Sequence, residues 1–212
     1  LIEMAAKAGC DAVKFQKRTP DICVPSGQGA LLRDTPWGRI TYLDYKKRIE
    51  FQRYEYDEID AYSKELGIAW SASAWDIPSL EFLDRYKLPF NKVASAMTTN
   101  IDFLKEVASR GTKTYVSTGM CTWRDIDLAV EIFRDANCPM VLMHTVSTYP
   151  AKDEHLNLAM ILTLKERYGS IDVGYSGHEP SVSPSIVAAT LGAVAIERHI
   201  TLDRSMWGTD HS

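Results

Sequence analysis

His178 and His199 each stand where a β-rich run ends, about one strand–helix repeat apart. Neighbouring strands of a sheet lie about 4.8 Å apart, so two imidazoles at equivalent levels can share one metal ion. Side chains repeat every second residue along a strand, which puts Ser176 on the face of His178 and Glu197 on that of His199. Two imidazoles with carboxylates close by, and no thiolate in reach, point to a borderline ion such as Mn²⁺ over a closed structural Zn²⁺ site. The competing reading is a pair of hydrogen-bonded core histidines. His144, nearer mid-strand, reads as structural, and His155 as a solvated loop residue.

Lys14 and Lys92 interrupt otherwise apolar strand cores, Ala12-Val13-Lys14-Phe15 and Lys92-Val93-Ala94. A lysine within a strand covered on both faces is expensive unless something compensates its charge. An anionic ligand would do so, as would a buried acid such as Asp11. With the hydroxyls of Ser73, Ser95, Ser117 and Tyr149, two lysines suit the recognition of phosphate and carboxylate. A Schiff-base lysine is a further option, although neither residue is singled out as a nucleophile. There is no G-x-S-x-G, no H-E-x-x-H and no Gly-rich nucleotide loop.

The elements that must hold these groups alternate along the chain. Strands are expected at Asp11–Gln16, Ala69–Ala74, Lys92–Ser95, Lys113–Thr118, Met140–Ser147, Val173–His178 and Val194–Thr201. Helical patterns lie between them, at Tyr54–Leu66, Pro78–Tyr86, Ile101–Ser109, Trp123–Ala136, Leu158–Tyr168 and Ser183–Leu191, and Leu1–Gly9 forms another. Alternation of this kind implies βαβ units and a parallel sheet. Seven strands, with a first helix that arrives without its strand, suggest a (β/α)₈ TIM barrel lacking its first strand and last helix. Every strand ends in a polar residue, among them Ser73, Ser95, Ser117, Ser147, Ser176 and His199, and barrels carry their active sites at that end. The bland alternative is that these serines cap the helices that follow. Lys17–Trp37, rich in Pro and Gly, is too long for an ordinary βα loop and reads as a lid or an interface.

The 212 residues, 45% of them hydrophobic, suffice for one sizeable core. A net charge of −4, without a basic block, argues against nucleic-acid binding. No apolar run approaches a membrane span, and no signal peptide is evident. Cys10, Cys23, Cys121 and Cys138 are widely spaced and read as reduced thiols of a cytoplasmic protein. Trp70 and Trp75 read as packing residues.

Several stretches together resemble one family. These are Val13-Lys14-Phe15-Gln16, Lys92-Val93-Ala94-Ser95, Val116-Ser117-Thr118-Gly119-Met120, Tyr149-Pro150, Gly174-Tyr175-Ser176-Gly177-His178, and Gly192-Ala193 followed by Glu197-Arg198-His199-Ile200-Thr201-Leu202-Asp203. In order, and over essentially the whole chain, they are similar to the sialic acid synthases, the N-acetylneuraminate synthase family. The resemblance implies a (β/α)₈ barrel followed by a small antifreeze-like domain. It implies condensation of phosphoenolpyruvate with an N-acylated aminohexose such as N-acetylmannosamine, giving phosphate and a nine-carbon 2-keto acid. A divalent metal, Mn²⁺ or Mg²⁺, and a homodimer of the full-length protein are implied too.

By the same resemblance His178 and His199 are the metal ligands. Lys14, Ser73, Lys92, Ser95, Ser117, Ser147, Tyr149 and Ser176 form the phosphoenolpyruvate pocket, and Glu197 and Asp210 hold the sugar, order the ligands or manage protons. Lys14 and Lys92 would hold anionic groups in line for attack of the enol carbon on the sugar aldehyde. The chain departs from the family at Met97, where an acidic residue is usual, and at Ser147, where Asn is common. Residues 1–212 would then be an incomplete synthase barrel without the antifreeze-like domain, poorly stable and weakly active alone. Other expectations left standing are a pseudaminate or legionaminate synthase, another barrel aldolase, and a non-catalytic sugar-binding barrel.

Overall fold

The computed structural model describes residues 1–208. The chain divides into two compact units, Leu1–Pro89 and Phe90–Ser212.

In the first unit, helix α1 (Ile2–Lys7) leads into strand β1 (Ala12–Lys17). A short helix α2 (Pro20–Cys23) and an antiparallel hairpin, β2 (Leu32–Thr35) and β3 (Gly38–Thr41), follow. Helices α3 (Tyr42–Ile49) and α4 (Arg53–Leu66) then lead to β4 (Ala69–Ala74) and α5 (Ile77–Leu83). Strand β4 pairs in parallel with β1, Val13 opposite Trp70. The expected loop over Lys17–Trp37 therefore holds a helix and the start of a hairpin, and α3 was not foreseen. Its signal is local: Thr41 caps the helix by accepting from the Asp44 amide at 3.1 Å.

An aromatic cluster fills this unit. Tyr56 of α4 lies 5.9 Å from Trp70 and 5.4 Å from Phe82 between ring centroids, and Trp70 lies 5.2 Å from Tyr86. Trp70 is thus a packing residue, as expected, whereas the ring of Trp75 carries the Arg18 guanidinium at 4.2 Å. The deeply buried lysine of β1 is Lys17, not Lys14. Lys17 Nζ lies 3.0 Å from Glu50 Oε1 and donates to the Phe51 carbonyl at 2.8 Å. Lys14 is only half-buried.

The second unit is a five-stranded parallel sheet in chain order. Its strands are β5 (Asn91–Val93), β6 (Thr114–Ser117), β7 (Met140–Thr145), β8 (Asp172–Gly177) and β9 (Ile196–Arg198). Helices α6 (Ile101–Ser109), α7 (Trp123–Asp135), α8 (Met160–Tyr168) and α9 (Ser183–Thr190) connect them. Strands β7 and β8 are buried along nearly their whole length, as expected of parallel strands covered on both faces. Leu142, Ile161, Leu164, Val173 and Tyr175 form the core with Ile126 and Val130.

Strand existence was legible and strand ends less so: β5 stops at Val93, β7 at Thr145 and β9 at Arg198. Ser95 opens a 3₁₀ turn running to Met97. The capping explanation for the strand-end serines does not hold. Helices α5, α6 and α7 are capped by the side chains of Asp76, Asn100 and Thr122, and α8 and α9 begin after Ala159 and Val182. The serines are left for another task.

Candidate functional site

Because β5 to β9 are parallel, their C-terminal ends share one edge, the side on which open α/β sheets bind ligands. Lys92, Ser95, Ser117, Ser147, Tyr149, Ser176, His178, Glu197 and His199 all belong to this unit. Each lies on one of these strands or within a few residues of its end. Lys14 and Ser73 belong to the first unit: Lys14 stands opposite Ser71 of β4, and Ser73 is buried on β4 opposite Gln16. Asp210 lies outside the described residues.

Lys92 is the buried cation of the second unit, its side chain 4% exposed. Its ammonium donates to Ser117 Oγ at 2.6 Å and to the Val93 carbonyl at 3.3 Å. Glu197 Oε2 stands 3.5 Å away, and the other carboxylate oxygen accepts from Ser176 Oγ at 3.4 Å. The strand register sets this up, since Ser176 and Glu197 are direct partners on β8 and β9. A buried ammonium beside a hydroxyl, a carbonyl and a carboxylate at longer range is a positive centre able to bind a carboxylate or phosphate.

Beside β6 the chain turns through Gly119 and Met120, the latter at φ 60°. The Gly119 amide donates to Ser95 Oγ at 3.1 Å. A Cβ on Gly119 would overlap the Ser147 hydroxyl and come within 2.8 Å of that of Ser95. Residue 119 must therefore be glycine for the two serines to converge. The quoted strand motif contained Gly119, but only the close approach of these hydroxyls gives it a role.

The two histidines do come together. Ring centroids of His178 and His199 are 5.3 Å apart at 71°. Tyr149 lies over His178 at 4.1 Å and meets His199 edge-on at 5.7 Å. His178 Nδ1 lies 2.7 Å from the Val146 carbonyl, an acceptor only, so this nitrogen carries a proton. Among the described residues no three His, Cys, Asp or Glu side chains converge on one point. Among the described residues the pair offers two imidazole donors, a set that fits an open site finished by other ligands.

The remaining groups are structural. His144 is buried, with Nε2 at 2.7 Å from the Leu156 carbonyl, and burial lowers its pKa. His155 is exposed beside Glu154. All four cysteines are free thiols. Burial pushes the Cys121 thiol up to about 11, which leaves it protonated and a poor nucleophile at neutral pH. No helix of the described residues is long and apolar enough to cross a membrane.

Comparison with known proteins gives the chain's family. The NeuB family matches residues 1–212. The N-acetylneuraminate-9-phosphate synthase of Drosophila melanogaster is 39% identical over 216 residues, covering 100% of this chain and 57% of the relative. The N,N'-diacetyllegionaminic acid synthase of Campylobacter jejuni is 31% identical, again over 100% of this chain and 64% of the relative. The crystal structure of the N-acetylneuraminic acid synthetase of Leptospira borgpetersenii, in complex with citrate, superposes with a TM-score of 0.89 at 30% identity. It covers 99% of this chain and 69% of that one. The chain thus spans less than two thirds of the length of these curated relatives.

Proposed function

This chain belongs to the NeuB family, and on that premise we propose that it supplies most of the (β/α)₈ barrel of a sugar-acid synthase. The reaction joins C3 of phosphoenolpyruvate to the aldehyde carbon of an N-acylated aminohexose. Water adds at C2 of the former enol, and the C–O bond to phosphate breaks. The products are inorganic phosphate and a nine-carbon 2-keto acid.

The observation that carries this reading is Lys92. A buried ammonium, hydrogen-bonded to Ser117 and 3.5 Å from Glu197, sits among strand-end hydroxyls that cap no helix. Its role is to bind the anionic groups of phosphoenolpyruvate and hold the enol carbon in line, so that positioning supplies much of the rate. Ser95 and Ser147, whose hydroxyls converge at Gly119, add hydroxyl donors for the phosphate. Glu197, which accepts a hydrogen bond from Ser176, would take a proton from the attacking water. Tyr149 and Ser176 are assigned to the phosphoenolpyruvate pocket, and Asp210 to the sugar or its proton traffic.

His178 and His199 would hold a divalent ion, Mn²⁺ or Mg²⁺, which when bound polarises the aldehyde as a Lewis acid. The protein is assigned to the cytoplasm and to a homodimer. The sugar is N-acetylmannosamine, its 6-phosphate or a diacetamido relative. Carbon six of the hexose becomes carbon nine of the product, so a 9-phosphate product requires a sugar phosphorylated at carbon six.

Release of phosphate from phosphoenolpyruvate, assayed with each sugar separately, tests the proposal. Sugar-dependent release that a chelator suppresses supports it. Folded protein that releases none with any of them refutes it.

A further inference from the structure

Each histidine has a charged neighbour in sequence. Glu179 follows His178, and Arg198 precedes His199. Glu179 folds back beneath β8, its side chain fully buried, and forms an ion pair with Arg198 at 2.5 Å between Nη1 and Oε1. Its other carboxylate oxygen accepts from the Tyr175 hydroxyl at 2.7 Å. Arg198 Nη1 also donates to the Ser181 carbonyl at 3.0 Å and to Ser185 Oγ at 2.8 Å, while Nη2 donates to the backbone carbonyl of Glu179. Gly177 makes the fold-back possible, because a Cβ there would come within 2.8 Å of both Glu179 carboxylate oxygens.

A buried ion pair contributes little net stability, since desolvation offsets its attraction, but a fully bonded one fixes geometry. This one ties the residue after His178 to the residue before His199, across the β8–β9 register in which Gly177 faces Arg198. We propose that the Glu179–Arg198 clasp sets the relative position of His178 and His199, and so acts as the positioning element of the two-histidine site. Arginine suits the task because its planar fork reaches a carboxylate, two carbonyls and a hydroxyl together, which a lysine cannot do. The proposal rests on the metal reading above for its consequence, though not for its geometry.

Two measurements on the purified protein at its natural length decide it. The first is ¹⁵N NMR of the histidine rings without metal. Wild type shows His178 as the Nδ1–H tautomer, and Arg198→Lys and Glu179→Gln show averaged tautomers at His178 with the fold retained by circular dichroism. Ser185→Ala, which removes a single arm, gives a smaller change. The second is Mn²⁺ binding by electron paramagnetic resonance, where loss of such supporting contacts weakens affinity by about tenfold. Unchanged ring signals in Arg198→Lys and Glu179→Gln overturn the clasp. Wild-type protein that binds no Mn²⁺ overturns the metal reading instead, and the ring signals still decide the clasp.

Discussion

Lys92 Nζ and Glu197 Oε2 stand 3.5 Å apart, the lysine side chain 4% exposed and the glutamate 22%. In the proposed pocket this buried ammonium attracts the incoming anion. Phosphoenolpyruvate should therefore raise the melting temperature of the protein, as any ligand of the native state does. Lys92→Met should abolish that rise while leaving the protein folded. Thermal melts with and without phosphoenolpyruvate check this, and an undiminished rise in Lys92→Met would remove the lysine from the pocket.

Gly119→Ala places a methyl group against the hydroxyls of Ser147 and Ser95. The serines must separate, and hydrogen bonds to a charged ligand are lost, each worth about 1.5–3 kcal/mol. The KM for phosphoenolpyruvate should rise about tenfold or more, with a far smaller change in that for the sugar. Steady-state kinetics with each substrate varied in turn reads the difference.

Lys17 and Glu50 are a buried pair in the first unit, with side chains 10% and 5% exposed. Removing one partner leaves the other charge unpaired. Glu50→Ala should cost about 3–5 kcal/mol by chemical denaturation. Replacing both, as Lys17→Met with Glu50→Leu, should recover most of that loss.

His144 is neutral in the fold, its pKa held below the ordinary 6.5 by burial. The unfolded chain therefore takes up this proton first as pH falls. Stability should be fully present above the unfolded value and decline as pH drops below 6.5 towards the depressed folded value. His144→Gln should flatten that decline. Urea unfolding at several pH values measures the slope.

Much of the site was legible because its residues violate the local pattern. A lysine inside Lys92-Val93-Ala94, and histidines closing two apolar strands, stand out by type alone. Placement was harder. Lys14 and Lys17 share the polar–apolar ambiguity of β1, and only the partner Glu50, far along the chain, shows which one is buried. Gly119 and the Glu179–Arg198 pair depend on close approach between segments distant in sequence, which no spacing reveals. The hairpin β2–β3 was missed because its strands are short and mostly exposed, so neither carries a clear alternation.

The most direct test of the synthase assignment is phosphate released from phosphoenolpyruvate by wild type and Lys92→Met, with N-acetylmannosamine, its 6-phosphate and a 2,4-diacetamido hexose. Release by wild type that requires one of these sugars, and is lost in Lys92→Met, is the result predicted. Sugar-independent release, release undiminished in Lys92→Met, or none from folded wild-type protein with any sugar would contradict it.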